Sequence, residues 1–120
     1  MKRYKEEVIE LREMANLRSK QTGLTKGTIY ISTKEGNHGP RVKFYRDRPK
    51  ESSSSASITI SKDPELVEDS VNITSKEFKE VSQFILLNLK SLLDFWNSGA
   101  YWYTDEVDKF KKELKKITKV

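Results

Sequence analysis

The feature that most constrains this chain is a period-two alternation that recurs in three short runs. In TIYIS, residues 28–32, Ile29 and Ile31 alternate with Thr28, Tyr30 and Ser32. In RVKFYR, residues 41–46, Val42 and Phe44 alternate with Arg41, Lys43 and Tyr45. In ASITIS, residues 56–61, Ile58 and Ile60 do the same. Alternation at period two is the mark of a half-buried strand, because successive side chains point to opposite faces. Gly36, Asn37 and Gly39 tolerate turn conformations, so residues 28–46 are expected to form a hairpin. SVNI, residues 70–73, supplies a fourth short strand at most.

The pattern changes after Thr74. Thr74-Ser75-Lys76-Glu77 is a capping box, in which the threonine hydroxyl and the glutamate carboxylate satisfy free amides at a helix start. Phe78, Val81, Ile85, Leu89, Leu92 and Trp96 then share one face of a helix that runs to about Asn97, with Trp96 expected in the core. Ser98-Gly99 stops it. Thr104, followed by Asp105 and Glu106, is expected to cap a last helix with a stripe of Val107, Phe110, Leu114 and Ile117. At the other end, Tyr4, Val8, Leu11 and Ala15 fall on one helical face and predict a helix over residues 2–16. The polar stretch 17–27 then reads as a linker, and the serine-rich 47–55 as a flexible loop. The expected fold is therefore α+β: an N-terminal helix, a three- to four-stranded antiparallel sheet, and two C-terminal helices in one small domain spanning residues 1–120. Ile29, Ile31, Val42, Phe44, Ile58 and Ile60 form its inward set, with the central helix over them.

Composition closes off several functions. There is no cysteine, which removes disulfides, thiolate nucleophiles and zinc–cysteine sites. With one histidine and no metal-loop spacing, no metal site and no cofactor are expected. The N-terminal segment has no continuous apolar run, so the expectation is a cytoplasmic protein with no membrane association. Charge is polarised along the chain. Residues 26–50 carry seven Lys/Arg against two acids, and residues 51–80 carry three against seven. Such asymmetry favours a polyanion or a charged protein partner.

Three sets of residues are candidates for function. His38 is the only histidine, set in a turn, and can be read as a turn residue, a phosphate contact or a general acid–base. With Val42 and Phe44 buried, Arg41, Lys43 and Tyr45 point outward beside Tyr30, where bases hold phosphates and aromatic rings stack. Tyr30, His38, Arg41, Lys43 and Tyr45 thus form a nucleic-acid or anion site, or the core of a small ribonuclease-like site. Tyr101, Trp102 and Tyr103 cannot all face one core and are read as an interaction surface. Leu86 and Leu87 fall on a polar side of the central helix, which requires cover by another helix or an oligomer contact.

The hairpin GNHGPRVKFY and the helix FILLNLKSLLDFWN together resemble small uncharacterised bacterial proteins, some encoded in toxin–antitoxin-like loci. His38, Gly39, Pro40, Asn88, Leu92, Leu93, Trp96 and Asn97 carry that resemblance. The single histidine, the serine-rich loop and the lysine-rich last helix depart from the pattern. The resemblance implies no particular activity. The reading that results is a non-catalytic binding or interaction module of a small bacterial-type protein, with a nucleic-acid-binding regulator or a ribonuclease-like enzyme as the alternatives. A protein partner, a second copy of the chain and nucleic acid are the possible partners.

Overall fold

The computed structural model describes residues 14–34, 38–47 and 54–118. Five strands form one antiparallel sheet in chain order: β1 (Met14–Leu17), β2 (Thr28–Ser32), β3 (Arg41–Tyr45), β4 (Ala56–Thr59) and β5 (Leu66–Asp69). A single helical turn, α1 (Ser19–Thr22), joins β1 to β2. After the sheet come α2 (Ser75–Leu87), α3 (Leu89–Ser98), a 3-10 turn (Gly99–Tyr101) and α4 (Thr104–Glu113).

The helices cover one face of the sheet. Ile29, Ile31, Val42, Phe44 and Ile58 are fully buried, and they pack in one cluster with Val81, Phe84, Ile85, Leu92 and Phe95 of the helices. Trp96 is also buried. At about 1.5–3 kcal/mol for each fully buried large apolar side chain, this contact is the main stabilising layer. An ion pair fastens its edge. The Arg46 guanidinium donates from Nε to Glu77 Oε2 at 2.7 Å and from Nη2 to Glu77 Oε1 at 2.9 Å. Glu77 also completes the capping box with Thr74, as the sequence leads one to expect. Hydrogen bonds from Arg46 hold the Glu77 carboxyl at about 2, against an ordinary value of 4.5, and outweigh the upward push of burial.

The fold departs from the sequence expectation at several points. The sheet has five strands and not three or four. Residues 14–17 are its first strand and not the end of a helix over 2–16; residues 2–13 of that helix lie outside the described residues. The physical reason is that β2 would otherwise present a row of unpaired amides and carbonyls, and pairing them outweighs local helix preference. Leu17 accordingly is buried opposite Ile29. The last strand also differs from expectation, because Leu66–Asp69 pairs with β4 while residues 70–73, expected as a short strand, form none. All four residues of β5 are exposed, so as an edge strand it carries no alternation to read. Stretch 17–27 holds the end of β1, α1 and the buried Leu24. Residues 48–53 of the serine-rich stretch lie outside the described residues.

The helices differ too. The central helix is interrupted at Asn88, whose buried side-chain amide bridges the end of α2 and the segment after α4. Asn88 donates from Nδ2 to Phe84 O and to Lys115 O, and its Oδ1 accepts from the Lys115 amide at 2.7 Å. The last helix ends at Glu113, and Leu114 and Ile117 reach the core from an extended segment. That segment is held at its far end by the Ile117 amide on Thr22 O at 2.8 Å. Gly23 makes this approach possible: its φ is +83°, and a Cβ there would stand 2.5 Å from Ile117 O. The last helix is capped one residue earlier than expected, at Tyr103, whose amide donates to the Glu106 carboxylate.

Candidate ligand-binding face of the sheet

Alternation sends the remaining strand side chains to the other face of the sheet, and no helix among the described residues covers it. The pairing register arranges them in rows. Asn16, Tyr30, Lys43, Ser57 and Glu68 follow one another across β1 to β5, and Thr28 stands opposite Tyr45. Tyr30 and Tyr45 are therefore diagonal neighbours. Their rings meet edge to face, with centroids 5.1 Å apart and planes at 68°.

The bases of this face are not equivalent. Arg41 is three-quarters buried along its side chain and lies 3.4 Å from Glu68 on β5. Arg46 is committed to Glu77. Lys43 is exposed and has no ion pair among the described residues. Beside Tyr30, a shallow groove of about 500 Å³ is lined by Asn16, Arg18, Lys20, Tyr30, Arg46 and Asp47, among others. Arg18 and Lys20 are exposed on its wall. Asp47 is the one acid on the groove among the described residues, and it stands 3.9 Å from Lys26. The β4–β5 side is acidic: a second groove of about 450 Å³ is lined by Lys43, Ser57, Glu68 and Asp69 with two further serines.

Of the expected site residues, the structure brings Tyr30, Arg41, Lys43 and Tyr45 to one face. His38 goes elsewhere. Its ring lies on Trp96 at the end of α3, with centroids 5.5 Å apart, and its Nδ1 is 3.0 Å from Gly39 O. The histidine is thus turned toward the helix layer and is not gathered with the bases. Arg18 and Lys20 were missed from sequence, because residues 17–27 carry no strand or helix period. Their signal was two cations just ahead of a glycine that ends a helical turn.

The aromatic trio divides. Trp102 packs edge-on against the stacked pair Phe95 and Phe110, 5.8 Å from each, and seals the joint between α3 and α4. Tyr101 and Tyr103 are 85% and 71% exposed. Leu86 and Leu87 remain exposed as well. Among the described residues there is no group of three acidic or histidine side chains able to hold a metal ion, and no helix long and apolar enough to cross a membrane.

No protein-family model, no curated protein and no solved structure matches this chain.

Proposed function

We propose that this chain is a non-catalytic binding module that takes an anionic ligand on the β1–β3 half of the open sheet face. One observation carries the reading. Lys43, Arg18 and Lys20 surround the tyrosine pair without an acidic partner among the described residues, while the neighbouring Arg41 and Arg46 are neutralised within the fold. Cations left unpaired around an open face attract and hold an anion. The position of His38 against Trp96 favours binding over cleavage, since a general acid–base has to reach the bound ligand.

The test is titration with inorganic polyphosphate and retention on immobilised heparin, at low and moderate salt. Three contacts to a flexible polyanion predict a slope of log affinity on log salt of about −2. Arg18→Glu with Lys43→Glu should abolish retention and leave the circular dichroism unchanged. Failure of the wild-type chain to bind any polyanion at low salt overturns the reading.

A second reading rests on Tyr101 and Tyr103, two exposed rings one residue apart on either side of Trp102. They suit a protein partner or a second copy. Sedimentation of the wild type beside Tyr101→Ser/Tyr103→Ser would show self-association through them.

A further inference from the structure

We infer that the anion held on this face is single-stranded nucleic acid, with its bases stacked on Tyr30 and Tyr45; the inference rests on the polyanion reading above. Phosphate or sulfate groups need cations and hydrogen-bond donors; tyrosine hydroxyls can donate to them, but the ring faces contribute nothing. Here Tyr30 stands between Lys43 and the Arg18–Lys20 groove, with Tyr45 beside it on the strand that carries Lys43. An edge-to-face pair uses one ring by its edge, so that ring keeps both faces free of its partner. A planar base can lie there while its flanking phosphates reach cations to either side.

The dimensions limit the ligand. Tyr30 is on β2, Lys43 on β3 and Arg18 follows β1, so the cations are separated by two strand spacings, about 10 Å in all. That spans a few nucleotides of a single strand. A duplex keeps its bases stacked on one another and offers the rings no free base face, so it should bind through its phosphates alone. On the β4–β5 side Asp69 repels phosphates and Glu68 offsets Arg41, which favours a path across β1 to β3.

The experiment uses the wild-type chain first. Fluorescein-labelled oligothymidylate, oligouridylate, an abasic sugar–phosphate strand of the same length and inorganic polyphosphate are titrated at one low salt concentration. The expected result is at least roughly tenfold tighter binding of the base-bearing strands than of the abasic one, in line with one stacked base. Comparison of the thymidylate and uridylate arms tells whether DNA or RNA is preferred. Tyr30→Ala and Tyr45→Ala should each weaken oligonucleotide binding roughly 5- to 100-fold and leave polyphosphate binding unchanged, whereas Tyr30→Phe and Tyr45→Phe should retain it. Equal affinity for abasic and base-bearing strands overturns stacking but leaves the polyanion reading in place. Base-dependent binding that both alanine variants retain also overturns the inference. No binding of any probe overturns both.

Discussion

The two faces of this sheet are made from alternate residues of the same strands, yet they are held by different physics. The covered face is dry: Ile29, Ile31, Val42, Phe44 and Ile58 are fully buried beneath helices. The open face is wet and charged, and its order comes from pairs such as Arg41 with Glu68 and Tyr30 with Tyr45. Stability should therefore reside on one side, and the capacity to bind on the other. The largest expected effect tests the covered face. Phe95 is fully buried, stacks on Phe110 at 4.9 Å and touches the turn at Gly99. Phe95→Ala should cost about 3–5 kcal/mol, read from urea unfolding. A loss below about 1 kcal/mol would mean that the helix layer is not what holds the sheet.

The next effect concerns the end of that layer. Asn88 fastens the extended segment after α4 through two hydrogen bonds between its buried side chain and the Lys115 backbone. Asn88→Leu keeps the branched shape but leaves the Lys115 amide and carbonyl without a partner, at a cost of about 2–3 kcal/mol. Hydrogen exchange at the Ile117 amide, bonded to Thr22 O, should accelerate more than exchange in β3. Equal acceleration in both would show the segment to be part of one cooperative unit with the sheet.

How far these features were legible follows from what each leaves in the sequence. The three alternating strands and the Thr74–Glu77 box announce themselves, because burial on one face and a cap both impose residue types at fixed spacings. β1 and β5 do not. The first borrows its structure from the free edge of β2, and the second is exposed on all four residues. Asn88 looks like any polar residue in a helix until Lys115 is seen beside it. The same division holds at the candidate face. Tyr30, Lys43 and Tyr45 could be grouped because they share a period with buried neighbours. The neutralisation of Arg41 by Glu68 could not, since 27 residues and two strand connections separate them, nor could the contribution of Arg18 and Lys20.

A smaller effect sits where the two faces meet. The Arg46–Glu77 pair joins the sheet to the start of α2, and both side chains keep some contact with solvent. Glu77→Gln should cost about 1–2 kcal/mol at neutral pH, since charged hydrogen bonds are worth more than neutral ones but exposure screens them. The sign with pH is fixed by the lowered carboxyl. Glu77 titrates near 2 in the folded chain against 4.5 ordinarily, so its contribution is fully present above about 4.5 and is lost as the pH falls through about 2. The stability gap between wild type and Glu77→Gln should therefore close across that window. A gap that stays constant down to pH 2 would show that the loss comes from the altered cap and not from the charge.

The smallest effect is the sharpest test of the comparison. Lys43 stands in the middle of the sheet, on a central strand, yet its side chain is exposed and has no ion pair among the described residues. If stability and binding are divided between the faces, Lys43→Ala should change unfolding free energy by no more than about 0.5 kcal/mol, as for a surface position away from any buried contact. The same substitution removes one cation from the open face, so the salt slope of polyphosphate binding should fall by about 0.7. A neutral change in stability with a lowered slope keeps the two faces separate. A stability loss comparable to that of Phe95→Ala would mean that the aliphatic stem of Lys43 packs on the tyrosine rings and that the open face is structural; an unchanged slope would remove Lys43 from the ligand's path and leave the Arg18–Lys20 groove to hold it.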